Sequence, residues 1–259
     1  MFESINHLKS KLARGETTLG IWVTLEAPTI TEIAALLGFD WVVIDTEHGH
    51  LDFKEVVEHI RALRGSTTTP LVRVPEVSRA AIKRVLDLGA HGVIVPQVET
   101  AAEVERAAQF VKYPPRGLRG IGGERATHWG MGLREQTRLA DAQTQLIPLI
   151  ENVHAADALE GILDVPGVDA LFFGPADFSA SAGYLGEWEG PGVAERILAL
   201  KDAARARGVP CGVMATDLEN ALLRQRQGFQ MIGIGSDTGL LIRSAREALA
   251  RLRDAAHES

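Results

Sequence analysis

Cysteine is nearly absent: Cys211 is the only one in a chain of 259 residues, which excludes an internal disulfide framework. It lies in the apolar stretch VPCGVMA, where a thiol packs as a small hydrophobe. No apolar run approaches the ~18 residues of a membrane span, and the N-terminal MFESINHLKSKLARGE lacks the apolar core of a secretory signal. Neither sign of charge forms a long run, and the formal net charge is −7. Nucleic acid and membrane surfaces are therefore not expected as partners, and a soluble, cytoplasmic protein is expected.

What the chain does have is alternation. Short apolar runs predict strands at 19–25, 41–47, 70–74, 92–98, 145–151, 170–176, 210–215 and 231–236. Several are almost continuous in Val, Ile, Leu and Phe, as expected of strands covered on both faces. Between them lie helical patterns such as FKEVVEHIRALRG and SRAAIKRVLDLG. Asp52, Ser78, Thr100 and Asp217 stand where helix N-caps belong, and a glycine closes three of the helices.

Eight strands each followed by a helix, with most strand ends 22 to 26 residues apart and no linker-like shift in composition, predict one α/β domain over 1–259. Its expected fold is a closed (β/α)8 TIM barrel. The step between the fourth and fifth strand ends is twice the usual and requires an insertion at about 112–142. Its stretch YPPRGLRGIGGERATHWGMG is rich in Gly and Arg and has no helical period. It reads as a mobile loop over the site, offering Arg119 or Arg125 to a substrate or a neighbouring subunit. It does not join a strand to a helix, so its glycines are not a dinucleotide fingerprint.

In such a barrel the C-terminal strand ends carry the chemistry. Strand 2 ends in Asp45, Thr46, Glu47 and His48, strand 3 carries Arg73, and strand 4 carries Gln97 and Glu99. Strand 5 ends in Glu151, strand 6 in Asp177, and strand 8 in Ser236 and Asp237. Glu151 and Asp177 end adjacent strands, which lie ~4.8 Å apart, so they could chelate one hard cation. Alternatively, each would simply complement the helix that follows. His48 is a candidate base with Asp45 and Glu47 able to orient its ring, or else a structural histidine. Arg73 interrupts an apolar strand and is either an internal ion pair or a fixed cation for an anionic substrate. The glycines of IGIGSD suit either phosphate or close packing. None of the six lysines ends a predicted strand, which disfavours a Schiff-base mechanism.

Six segments taken together resemble the HpcH/HpaI aldolase family of metal-dependent class II pyruvate aldolases. They are GFDWVVIDTEHG, PLVRVP, GAHGVIVPQVET, YPPRGLRGIGG, IENVHAADALEGILDVPGVDALFFGPADFSASAGY and GIGSDTGLL, in that order over nearly the whole chain. The 4-hydroxy-2-oxoheptane-1,7-dioate aldolases are nearest in motif, and the 2-dehydro-3-deoxyglucarate aldolases next. The resemblance implies reversible cleavage of a 4-hydroxy-2-oxo acid to pyruvate and an aldehyde such as succinate semialdehyde, through a metal-stabilised pyruvate enolate, with a place in aromatic catabolism. It implies that Glu151 and Asp177 hold a divalent cation (Mg²⁺, Mn²⁺ or Co²⁺) and that His48 is the base, helped by Asp45. Arg73 would face the pyruvate oxygens, and the backbone of Gly174, Pro175 and Ala176 would line the substrate carboxylate. Leu149 stands where relatives often have Gln, which removes a side-chain contact near the pyruvyl group. A homo-oligomer, commonly a hexamer, is also implied. The alternatives are a malyl- or citryl-CoA lyase on the same barrel, for which the loop arginines are the only candidate CoA contacts, and a non-catalytic 2-oxo-acid-binding barrel.

Overall fold

The computed structural model describes residues 5–257. Eight parallel strands close in chain order: β1 Thr18–Val23, β2 Trp41–Asp45, β3 Thr69–Arg73, β4 Gly92–Val95, β5 Gln145–Ile150, β6 Leu171–Phe173, β7 Cys211–Met214 and β8 Met231–Ser236. β8 pairs with β1 to complete the (β/α)8 barrel. The helices between the strands begin as the sequence predicts. Asp52, Ser78, Thr100 and Asp217 each accept a first-turn N–H, and Asp52 and Thr100 form capping boxes with Glu55 and Glu103. No helix is long and apolar enough to cross a membrane.

Alternation along each strand sorts its residues into two cores. Ile44, Val72, Val93, Val95 and Phe173 face outward to the helices. Trp41 and Val43, Leu71, Ile94, Ile147 and Leu149, and Phe172 face inward. Aromatic residues make up only 5% of the chain, yet Trp22, Trp41 and Phe172 meet inside the barrel, with ring centroids 5.0 to 6.0 Å apart. They fit because glycine lies against them. A Cβ at Gly20 would fall 2.0 Å from the Trp41 ring, and one at Gly212 would fall 2.4 Å from Phe172. The N-terminal end of the barrel is plugged by the helix His7–Ala13, whose Leu8 and Leu12 join the inner core.

Cys211 is fully buried on β7, as the sequence suggests, and burial pushes its thiol up to about 12. A thiolate is the reactive species. Ellman's reagent should therefore leave the native protein unmodified and titrate one thiol after denaturation.

The insertion departs from expectation. It contains a short helical turn at Arg125–Thr127 and an α-helix at Leu133–Gln143. It packs down the outside of the helix Arg79–Asp87 towards the N-terminal end of the barrel, away from the strand ends that carry the charged groups. Arg119 is buried, stacked 4.6 Å from the Tyr113 ring centroid and paired with Asp87 at 3.2 Å. Arg125 donates to the Leu88 carbonyl at 2.9 Å. Desolvated guanidinium groups need such fixed partners. Neither arginine is therefore available at this chain's own strand ends, and the reading of the insertion as a loop over its own site is corrected.

Candidate active site

The same alternation that builds the inner core sets the level of the charged groups. Two residues above Val43 and Leu71 stand Asp45 and Arg73, which are register partners on β2 and β3. Two residues above Leu149 and Phe172 stand Glu151 and Gly174. Charged side chains thus rim an apolar plug at the C-terminal mouth of the barrel.

Arg73 is 8% exposed and Asp45 1%. Arg73 Nε donates to Asp45 Oδ1 at 2.9 Å and Nη2 donates to Oδ2 at 2.5 Å, a bidentate pair. Asp45 Oδ1 also accepts the backbone N–H of Glu47 at 3.0 Å and of His48 at 3.4 Å. Asp45 therefore fixes Arg73 and the turn that carries His48. Its recorded contacts do not include the imidazole, which differs from the expected orienting role. His48 itself is exposed at the rim, and His50 lies 3.5 Å from Glu26.

Glu47 Oε2 lies 2.8 Å from Arg73 Nη1 but makes no hydrogen bond, so this buried oxygen keeps unfilled acceptor capacity. Burial raises the Glu47 carboxyl above its ordinary value; Arg73 and His48 pull it back, and Asp45 and Asp177 push it further up.

Glu151 is 2% exposed, and its Oε1 accepts the Gln97 N–H at 2.7 Å. Gln97 holds a left-handed backbone (φ 52°) to aim that N–H, a conformation uncommon outside glycine. Burial, opposed by this bond and reinforced by Glu47 and Asp177, pushes the Glu151 carboxyl up to about 8. Glu151 does not cap the following helix, because Asn152 does so through Ala155 N–H at 2.8 Å. Asp177 is exposed in the first turn of Pro175–Ser181 without a capping bond. A Cβ at Gly174 would meet Glu151 Oε2 at 3.2 Å, so glycine keeps the space beside that oxygen open. Leu149 forms part of the apolar floor beneath.

Other strand-end residues are structural. Asp237 accepts from Thr24 and Leu25 and ties β8 to the end of β1. Glu99 donates its N–H to Glu103 within the capping box. Gly233 serves packing, since a Cβ there would fall 2.4 Å from Met214 Sδ. All six lysines lie outside the strands.

The arrangement leaves four carboxylates (Asp45, Glu47, Glu151 and Asp177) around one guanidinium. The Glu47 oxygen without a hydrogen bond, and the Glu151 carboxyl raised first by burial and then by Glu47 and Asp177, fit a site with acceptor capacity to spare. An oxygen-donor set of this kind fits a hard divalent cation. Among the described residues, no group of three or more His, Cys, Asp or Glu converges on one position. The chain's own contribution would thus be the pair Glu151 and Asp177.

A closed parallel barrel with its charged groups gathered at the C-terminal strand ends is the architecture of a barrel enzyme. The family model described as HpcH/HpaI aldolase/citrate lyase matches residues 18–244, and the chain belongs to that family. It is a carbon–carbon lyase. The hydroxypyruvate/pyruvate aldolase of Pseudomonas aeruginosa is 36% identical over 257 residues, covering 97% of this chain and 94% of that protein. The 5-keto-4-deoxy-D-glucarate aldolase of Shigella sonnei is 34% identical over 245 residues, with 95% of each covered. Among solved structures, an HpcH/HpaI aldolase/citrate lyase family protein from Burkholderia cenocepacia superposes with a TM-score of 0.91. It is 35% identical, with 96% of this chain and 99% of that one covered.

Proposed function

We propose that this protein is a cytoplasmic, divalent-metal-dependent aldolase that reversibly cleaves 4-hydroxy-2-oxo acids to pyruvate and an aldehyde. One observation carries the reading: at the barrel mouth Arg73 is held by Asp45 and Glu47, while Glu151 lies beside Gly174 in the turn that leads to Asp177, and His48 stands exposed at the rim. When bound by Glu151 and Asp177, Mg²⁺, Mn²⁺ or Co²⁺ supplies a Lewis-acidic positive charge for the oxygens of the 2-oxo acid.

The chain's own groups account for the remaining steps. As the C3–C4 bond breaks, His48 takes the proton of the C4 hydroxyl. Negative charge then develops at the C2 oxygen. Two N–H groups of Arg73 go to Asp45 and Nη1 lies 2.8 Å from Glu47 Oε2, which leaves the fork further N–H groups to face that oxygen. Because Asp45 and Glu47 already hold the guanidinium in place, little reorganisation opposes charge stabilisation. The first turn after Gly174 presents backbone N–H groups, including that of Ala176, to the substrate carboxylate. Pro175 has no N–H and fixes the start of that turn.

For the acceptor aldehyde, the relative named for 5-keto-4-deoxy-D-glucarate favours a short hydroxylated aldehyde acid. The heptanedioate, which yields succinate semialdehyde, is the longer alternative within the same chemistry. A higher kcat/KM for 5-keto-4-deoxyglucarate would support the first, and the reverse order the second. A CoA-ester substrate finds no support, because Arg119 and Arg125 are engaged away from the barrel mouth.

Pyruvate release from a racemic 4-hydroxy-2-oxo acid, coupled to lactate dehydrogenase, tests the proposal. EDTA should abolish it and Mg²⁺ or Mn²⁺ restore it; turnover indifferent to EDTA would overturn the metal reading. Binding of the oxo acid without pyruvate release would leave a binding barrel instead. In the same assay His48→Ala should lower kcat ~10²–10⁴-fold, the ordinary cost of losing a general base. A near-normal kcat would remove His48 from that role.

We also propose a homo-oligomer, with six copies implied by the resemblance. The C-terminal helix Asp237–His257 packs on β1 near its start and is exposed over residues 241–255. It carries Leu241, Ile242, Leu249 and Leu252, while Leu36 and Leu37 stand exposed on or beside the helix Pro28–Leu36. Apolar surface of this extent supports burial against further copies. Sedimentation velocity should give a mass several times that of one chain; a monomer at micromolar concentration would refute it.

A further inference from the structure

A cavity of about 730 Å³ lies at the N-terminal end of the barrel, opposite the carboxylate-lined mouth. Loops leading into β3 and β4 form one wall and the insertion forms the other. Arg61, Arg64 and Arg125 line it with His7, His91 and His128, and among the described residues no Asp or Glu lines it. On a chain of net charge −7, that concentration of cationic and titratable nitrogen groups is out of balance with the whole.

Of the three arginines, Arg61 alone has a carboxylate partner among the described residues. Arg61 contacts Glu58 one turn earlier on its own helix, at the exposed surface. Arg64 has no carboxylate partner among the described residues. Arg125 is half-buried and donates to the Leu88 carbonyl, which orients its guanidinium without compensating its charge. Burial lowers the Arg125 pKa, and the nearby charges of Arg61 and Arg64 lower it further. His91 is pulled down to about 4 by burial, then by His7 and Arg125, so it stays neutral at physiological pH and can bond an anion without adding charge. Three guanidinium groups lining one hollow, with Arg125 half-buried and the other two at its exposed edge, are an arrangement that recognises phosphate oxygens. Trp129, 63% exposed at the rim, offers an aromatic face.

We propose that this cavity binds a small phosphate-bearing anion, clamped by Arg64 and Arg125 between the barrel's N-terminal loops and the insertion. The site is separate from the catalytic mouth, and the proposal does not depend on the aldolase reading. Its volume falls within the ordinary range for small-molecule pockets.

Pyrophosphate titrated into the full-length protein should change Trp129 emission, with half-saturation below about 1 mM. It should also raise the melting temperature, since ligand binding to the native state stabilises it by mass action. Trp129→Phe should remove the fluorescence change and keep the thermal shift. Arg64→Gln, at an exposed side chain, should weaken binding at least ~10-fold, as expected for loss of a charge-assisted contact, without altering pyruvate release. Arg125→Gln should do the same, and Arg64→Gln serves alone if that variant fails to fold. Inorganic phosphate and ATP distinguish a bare anion from one carrying a stacking group. Pyrophosphate binding unchanged in Arg64→Gln would place the anion elsewhere and overturn the proposal. So would the absence of any response to all three probes. A change of sedimenting mass in Arg64→Gln with no anion response would assign the cavity to a carboxylate of a second copy, and would likewise overturn it.

Discussion

Glu151→Gln should leave a folded protein with no measurable metal-dependent turnover. The amide matches the carboxylate in shape and can still accept the Gln97 N–H now received by Oε1. Burial at this position would favour the neutral side chain rather than oppose it. What the substitution removes is one of the two negative charges that the chain offers a divalent cation. Loss of outer groups that merely support a metal site weakens affinity by ~10–100-fold, so loss of a ligand should cost at least ~100-fold. Mn²⁺ titration by calorimetry measures that term directly, and the coupled pyruvate assay measures the consequence. Asp177→Asn should behave similarly, because Asp177 is exposed and makes no capping bond, so its loss should not disturb the helix. Wild-type Mn²⁺ affinity in both variants would remove these two residues from the metal site.

Arg73→Leu should damage both the fold and the chemistry. Asp45 is 1% exposed and receives both of its side-chain donors from Arg73, while Glu47 has Arg73 as its ion-pair partner. Removing the guanidinium leaves buried carboxylates without a countercharge, and breaking a buried pair in this way costs about 3–5 kcal/mol. For a domain of this size the melting temperature should fall on the order of 10 °C. Cleavage should fall sharply as well, since among the described residues no other cationic side chain stands at the carboxylate-lined mouth to share charge stabilisation with the metal. Arg73→Lys separates the two effects. It keeps the charge and much of the stability, but it lacks the planar fork that matches Asp45. Its kcat should fall far more than its melting temperature. Equal stability of Arg73→Leu and the parent would mean that Asp45 and Glu47 are compensated by other groups.

The barrel is legible in the sequence because its information is local and periodic. Near-continuous apolar runs predict the strands, and spacing along them predicts the level of the charged groups. Asp45 is two residues beyond Val43, and Glu151 two beyond Leu149, so alternation alone raises both carboxylates above the apolar plug. Gly at helix ends and Asp, Ser or Thr at helix starts act within one turn, and the helix boundaries follow.

Neighbour relations across the mouth are not periodic, and the sequence is ambiguous there. Asp45 stands beside both His48 and Arg73, but the β2–β3 register brings its carboxylate to the guanidinium. Gln97 serves Glu151 through its backbone in a left-handed conformation, a role that no side-chain pattern records. The stretch 113–132 of the insertion lacks a helical period, and the reading of it as a loop over the site has no periodic signal behind it. Pairing of Arg119 with Asp87 and of Arg125 with the Leu88 carbonyl turns it towards the opposite end of the barrel. By itself, the sequence determined the closed barrel, the identity of the charged residues and the level at which they stand, because alternation and chain spacing act along the strand. Only the tertiary structure decided which of those groups touch and where the insertion lies, because those contacts join distant segments through strand register, burial and the need of each desolvated charge for a partner.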